Sequence, residues 1–180
     1  LGFSFHDDYP VFESIIDAND NWDFCMIQHN FMDQDYQAGN KGLVYAAGKG
    51  MGVVIMEPLR GGSLVGKIPK EIIALYDSAP IKRSPADWAF RWVYNHPAVT
   101  MVLSGMNNED HIRENIRIAS ESLPNGLSEQ ELSIIENVRD TYQKLMRVGC
   151  TGCAYCMPCP AGINIPSAFK NLNNYYMFGK

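Results

Sequence analysis

The chain has 180 residues, and its 15 Lys plus Arg against 20 Asp plus Glu give a net charge of −5, a balance that excludes a general nucleic-acid binder. Hydrophobic residues make up 46% and charged residues only 19%, too apolar a composition for a disordered chain. The longest apolar stretch, around Met51 to Met56, falls far short of the roughly 18 to 20 residues a membrane-spanning helix needs.

The start LGFSFHDD has no Met, no basic region and no apolar signal core, so it reads as a cut inside a longer protein and not as a secretory leader. Leu1 to Phe5 has strand character. After Pro10, the i, i+3, i+4 stripe Phe12, Ile15, Ile16 predicts a helix ending near Ala18. FCMIQ (Phe24 to Gln28) predicts a second strand, and LVYAAGK a helix that turns Leu43, Val44, Ala46 and Ala47 to a core. GVVIM (Gly52 to Met56) is the most strand-like segment. A Gly-rich loop follows, then helices over Pro69 to Asp77 and from Ser84, where Ser84 can cap, Pro85 suits the first helical position and Asp87 the first turn. VTMVLS (Val99 to Ser104) predicts a fourth strand and EDHIRENIRIAS a helix. Ser128 with Glu131 forms a capping box opening a last helix that turns Leu132, Ile135, Val138, Tyr142 and Leu145 inward. Trp88 and Trp92, at helical spacing, read as core.

Apolar strands separated by helical crossovers predict an α/β class with a parallel sheet. Four βα units within the first 123 residues are half of a (β/α)8 barrel by count. An open doubly wound sheet is the competitor, but no GxGxxG follows any strand. Val53, Ile55, Met101 and Leu103 are expected on the inner face of such a half barrel. Beyond residue 147 the composition shifts to Cys, Gly, Pro and Asn. The expected division is therefore a barrel half over 1–123, a helix over 124–147 and a Cys-rich tail over 148–180.

The tail holds Cys150, Cys153, Cys156 and Cys159, followed by Pro160. Thiolates this closely spaced suit one compact iron–sulfur cluster, although the bacterial ferredoxin run has three residues before its last Cys where this one has two. A tetrahedral zinc site and a CxxC redox pair are the alternatives. Any of them points to a reducing, cytoplasmic compartment. Cys25, mid-strand, reads as packing. Tyr175, Tyr176 and Phe178 at the end suggest a docking surface.

The segments LGFSFH, MIQHNFMD, GVVIMEPLRGGSL and SPADWAFRWVYNHPAVTMVLSGMNNEDHIREN together resemble the second half of the aldo/keto reductase barrel, in the same order. CTGCAYCMPCPAGINIP looks like the ferredoxin-like [4Fe–4S] extension carried by one branch of that family. The resemblance implies strands five to eight of a (β/α)8 (TIM) barrel, and an NADP- or NAD-dependent oxidoreductase of small carbonyls or alcohols when the protein is intact. Position by position, it implies that Ser4 and Gln28 hold the nicotinamide carboxamide. It sets Glu57, Pro58, Leu59, Arg60 and Gly61 along the pyrophosphate, and Ser104, Gly105, Met106 and Asn107 at the adenosine phosphate end. Glu114 and Asn115 would contact adenine, and His111 falls where many relatives carry an Arg for a 2′-phosphate.

The family's catalytic Tyr, Lys, Asp and His belong to the first half of the barrel, and no matching segment occurs here. His6, His29, His96 and His111 are not that His by motif. The expectation is a chain that binds part of a cofactor, has no catalytic residue of its own and pairs with the missing barrel half or a second copy. The alternative is a non-catalytic, cluster- or zinc-bearing binding or electron-transfer module. Neither a nucleic acid nor a membrane is an expected partner. His6 beside Asp7 and Asp8 reads as a solvated rim cluster.

Overall fold

The computed structural model describes residues 1–150 and 156–179. Four parallel strands, β1 (Gly2–Ser4), β2 (Phe24–Gln28), β3 (Gly52–Met56) and β4 (Met101–Val102), lie side by side in chain order. Helices α1 (Tyr9–Asp17) and α2 (Gly39–Gly48) make the first two crossovers, and α3 (Lys70–Asp77) with α4 (Pro85–Tyr94) the third. Then come α5 (Glu109–Glu121), α6 (Glu129–Leu145) and α7 (Ile165–Phe178). A doubly wound sheet reverses its strand order at a switch point. This sheet does not reverse, which removes the open-sheet alternative. Among the described residues no helix is long and apolar enough to cross a membrane.

Local sequence signals account for most element ends. Ser84 Oγ accepts from the Asp87 amide at 3.0 Å, with Pro85 at N1 of α4. Ser128 and Glu131 form the reciprocal capping box at α6, and Pro69 stands at the N-cap of α3. The outer strands are shorter than the expected Leu1 to Phe5 and Val99 to Ser104. Their flanks still bond the sheet, through Phe5 N–H to the Met26 carbonyl and Leu103 N–H to the Ile55 carbonyl. From Ser104 onward the chain leaves the ladder for a loop.

The sheet has one covered face and one open face. Phe5, Cys25, Ile27, Val53 and Ile55 are buried against Phe12, Ile16, Leu43, Ala46 and Val93 of α1, α2 and α4. Cys25 is a buried free thiol, pushed up to about 12 by desolvation, as a packing residue should be. The register aligns Ser4, Met26, Val54 and Met101 on the opposite face, together with Phe24 and Leu103, and there Phe24, Met101 and Leu103 are exposed. This corrects the expected inner face, because Val53 and Ile55 belong to the helix side. Val44, expected in the core, is likewise exposed on α2.

A second core joins α3, α4, α6 and α7 around Trp88, Ile72, Tyr76, Ile135, Val138 and Tyr142, and the partly buried Trp92 touches both cores. Helix α7 has no counterpart among the expected elements. Asn164 Oδ1 caps it by accepting from the Ser167 amide, Pro166 lies in its first turn, and Gly179 closes it in the left-handed conformation. Its end drives Met177 and Phe178 into the core, with the Phe178 ring 5.0 Å from that of Tyr142. Phe178 is thus a core residue, while Tyr175 and Tyr176 stay exposed. Buried Asn173 joins the tail to the rest, accepting from the Arg147 and Val148 amides at 2.9 and 3.1 Å and donating to the Val148 carbonyl at 2.7 Å.

Candidate cofactor cleft

A cleft of about 820 Å³ opens where the chain leaves the C-terminal ends of β3 and β4. That volume lies within the usual range for small-molecule sites. One wall is the loop after β3. It carries Glu57, Pro58, Leu59, Gly61 and Gly62, and the facing wall carries Ser104, Gly105, Met106 and Asn107 from the loop after β4. The first turns of α5 add His111, Glu114 and Asn115, which share one helix face by their i, i+3, i+4 spacing. Ser84, Pro85 and Ala86, at the start of α4, complete it.

The loop after β3 is held in an uncommon backbone shape. Glu57 (φ 58°) and Arg60 (φ 51°) are left-handed, as are Gly61 (φ 60°) and Gly62 (φ 78°). Non-glycine residues persist there only where their surroundings fix them. Here Asn30, fully buried, donates to the Glu57 carbonyl at 3.1 Å and to Asp33 Oδ2 at 3.1 Å. Asp33 Oδ2 also accepts from Gln28 Nε2 at 3.2 Å and Arg60 Nε at 2.9 Å.

On the facing wall, Asn108 caps α5 by accepting from the His111 amide at 2.9 Å. Asn115 Nδ2 donates to Ser104 Oγ at 3.0 Å, which fixes the strand-end loop against the helix. The Ser84 hydroxyl donates to Glu114 Oε1 at 2.6 Å. Adjacent to these elements Asp87, on α4, receives Arg91 and Arg117.

The expected cofactor residues thus gather at one cleft, apart from Ser4, Gln28 and Arg60. Ser4 and Gln28 end their strands on the open face at the same rim. Arg60 turns its guanidinium to Asp33 and over the Phe178 ring, with its central carbon 5.0 Å from the ring centroid. Asn30 and Asp33 were not singled out from the sequence, and Ser84 was expected only as a helix cap. The spacing of Asn30 and Asp33 is a turn signal, but nothing local reveals their distant partners.

Buried His29 packs its ring 5.1 Å from that of Trp92. Neither of its ring nitrogens has a hydrogen-bond partner among the described residues, and burial pulls it down to about 4. His6, Asp7 and Asp8 are exposed rim residues.

Of the tail cysteines, Cys150 and Cys156 are exposed, Cys159 is half-buried, and all three are free thiols. Cys153 lies outside the described residues. Among the described residues no three His, Cys, Asp or Glu side chains converge to hold a metal ion.

The sequence model of the aldo/keto reductase family matches residues 1–140. The chain belongs to that family. Its members are oxidoreductases, and this chain carries the family's α/β fold with a parallel sheet. Among solved structures it is similar to an aldo-keto reductase, AKR11C1, from Bacillus halodurans. The holo form superposes with a TM-score of 0.58 at 20% identity, over 76% of this chain and 49% of that one. For the apo form the TM-score is 0.56 at 20% identity, over 73% and 48%. This aldo/keto reductase family chain therefore spans about half the length of the solved structures it matches. No curated protein sequence matches it.

Proposed function

We propose that this chain is the strand-five-to-eight half of an aldo/keto reductase barrel (1–123), followed by the helix 124–147 and the Cys-rich tail 148–180. In the intact oxidoreductase its cleft would hold a nicotinamide dinucleotide, NAD(P)(H), for reduction of small carbonyls or oxidation of small alcohols. The observation that carries this reading is the convergence on one cleft of the loops after β3 and β4 with the His111, Glu114, Asn115 face of α5. Barrel sites are built at that end of the strands.

The residues fit such a cofactor. Left-handed Gly61 and Gly62 let backbone approach a phosphate closely, and Glu114 and Asn115 offer an acceptor and a donor to an adenine edge. Ser4 and Gln28 point from the strand ends toward the open face, where a nicotinamide would lie. The bound dinucleotide supplies the hydride. This chain's part is to bind and orient, because the family's Tyr, Lys, Asp and His segments are not in it.

The open face supports a partner half. Ile112 and Ile116, one turn apart on α5, are exposed apolar residues. An uncovered sheet face and an uncovered apolar pair on α5 suit the remaining βα units of a closed barrel; a second copy of this chain is the other candidate cover.

For the tail, we read the four cysteines as the seat of a [4Fe–4S] cluster in a reducing, cytoplasmic setting. Free, exposed thiols agree with that chemistry, but the described sulfurs are not gathered, so no step is assigned to the cluster. Anaerobic purification with iron supplied should yield iron and acid-labile sulfide. Stoichiometric zinc without iron would instead favour the binding-module reading. The dinucleotide reading itself is tested by titrating the 180-residue chain with NADH and NADPH by fluorescence. Saturable binding weakened by Asn115→Ala supports it, and no binding of either cofactor refutes it.

A further inference from the structure

We propose that the cleft takes NAD(H) in preference to NADP(H). This inference rests on the dinucleotide reading above and adds the charge the site tolerates. The two cofactors differ by one phosphate on the adenosine ribose, about two negative charges at neutral pH. That group needs cations, whereas a free ribose hydroxyl needs an acceptor, and a carboxylate is a good one.

The cleft offers carboxylates. Among the described residues its ionisable lining is Glu57, Glu114 and His111. Glu114 has a serine hydroxyl on Oε1 and no basic partner among the described residues. The His111 ring is tied to the cap of its own helix. Asn108 Oδ1 is committed to the His111 amide, which turns its Nδ2 toward His111 Nε2 at 3.3 Å. The first turn of α5 adds Glu109 and Asp110.

The nearby arginines are engaged elsewhere. Arg60 is drawn from its own loop to Asp33. Arg83, just before Ser84, pairs with Glu131 and lies over the Trp88 ring. Arg113 falls on the opposite side of α5 from His111 and pairs with Glu109. Arg117 holds Asp87 at 2.9 Å and Glu121 at 3.0 Å. A 2′-phosphate at the α5 side of the cleft therefore meets the Glu114 carboxylate beside arginines that are already paired, whereas the uncharged 2′-hydroxyl of NAD meets no such repulsion.

The test is a parallel fluorescence titration of the full chain with NADH and NADPH at low ionic strength. NADH should bind at least about tenfold more tightly, and the gap should narrow at high salt as repulsion is screened. His111→Arg, which brings a bidentate cation to the cleft, should raise NADPH affinity more than NADH affinity. Equal affinities, or tighter NADPH, would overturn the preference and leave the dinucleotide reading standing. Failure of both cofactors to bind would remove that reading, and the preference with it.

Discussion

Asp33 Oδ2 receives Arg60 Nε at 2.9 Å across 27 residues of sequence, and the same guanidinium lies over the ring of Phe178. One ion pair thereby joins the loop after β2, the left-handed loop after β3 and the end of the tail helix. Both side chains are largely shielded, at 27% and 16% exposure, so the pair is stronger than a surface bridge yet still partly screened.

Removing that carboxylate should loosen the cleft. Asp33→Ala leaves the Gln28, Asn30 and Arg60 donors without their shared acceptor, and should cost about 1–3 kcal/mol in urea unfolding. The freed β3 loop should also weaken dinucleotide binding, although Asp33 does not line the cleft. A variant with unchanged stability and unchanged affinity would show that the loop holds its shape without the pair.

His29 should make folding sensitive to mild acid. Its ordinary value is 6.5 and burial lowers it to about 4, with His96 pushing the same way and Asp33 and Asp35 opposing. Above 6.5 the ring is neutral in both states, so it adds no pH dependence. Between 6.5 and 4 the unfolded chain takes up a proton that the folded chain refuses, and stability falls as pH falls. Below about 4 the loss levels off at about 3 kcal/mol. Carboxylates such as Glu131 add their own losses on acidification. The measurement is therefore the difference between the wild type and His29→Phe in denaturant unfolding from pH 7 to pH 4.5. Parallel pH profiles for the two would show that the ring is not held neutral.

What the sequence revealed is what is encoded locally. The caps at Ser84 and Ser128 and the strands Phe24–Gln28 and Gly52–Met56 are bounded by residues within one turn of their partners. The face of the sheet was not legible, because GVVIM is apolar on both sides and its pattern does not tell Val53 from Val54. Helix α7 was hidden for a different reason. Its buried residues are Asn173, Met177 and Phe178, and the polar Asn173 among them breaks the apolar period. The cleft residues were reachable only through family resemblance, since Glu57 and Glu114 are brought together by strand pairing. Arg60 turned away from the expected phosphate path because its partner, Asp33, is encoded far off in sequence.

Asn173 should control whether the tail helix docks. Its side chain satisfies two amides and one carbonyl at Arg147 and Val148. Asn173→Asp sets a second acceptor against the Val148 carbonyl, and leaving one buried group unsatisfied costs about 1–3 kcal/mol. The expected result is faster hydrogen exchange across Ile165–Phe178 and easier proteolysis near the cysteines, with the sheet amides unaffected. Unchanged exchange in α7 would mean that Met177 and Phe178 anchor the helix without the polar clamp.

The open sheet face carries the last prediction, and it separates association from folding. Phe24, Met101 and Leu103 expose 44%, 54% and 41% of their surface, and Val54 and Met26 lie between them on the same face. An exposed apolar face of this kind promotes association. The isolated chain should therefore self-associate or aggregate at low micromolar concentration in analytical ultracentrifugation, and a separately produced first barrel half should suppress that. Met101→Lys should weaken self-association while changing the folding free energy by no more than about 0.5 kcal/mol, as for other exposed positions. Val53→Lys forces an unpaired ammonium into the helix-covered core and should prevent folding altogether. A monodisperse wild-type monomer with a cooperative unfolding transition would show that the exposed face needs no cover. A Met101→Lys chain that fails to fold would show that the two faces are assigned the wrong way round.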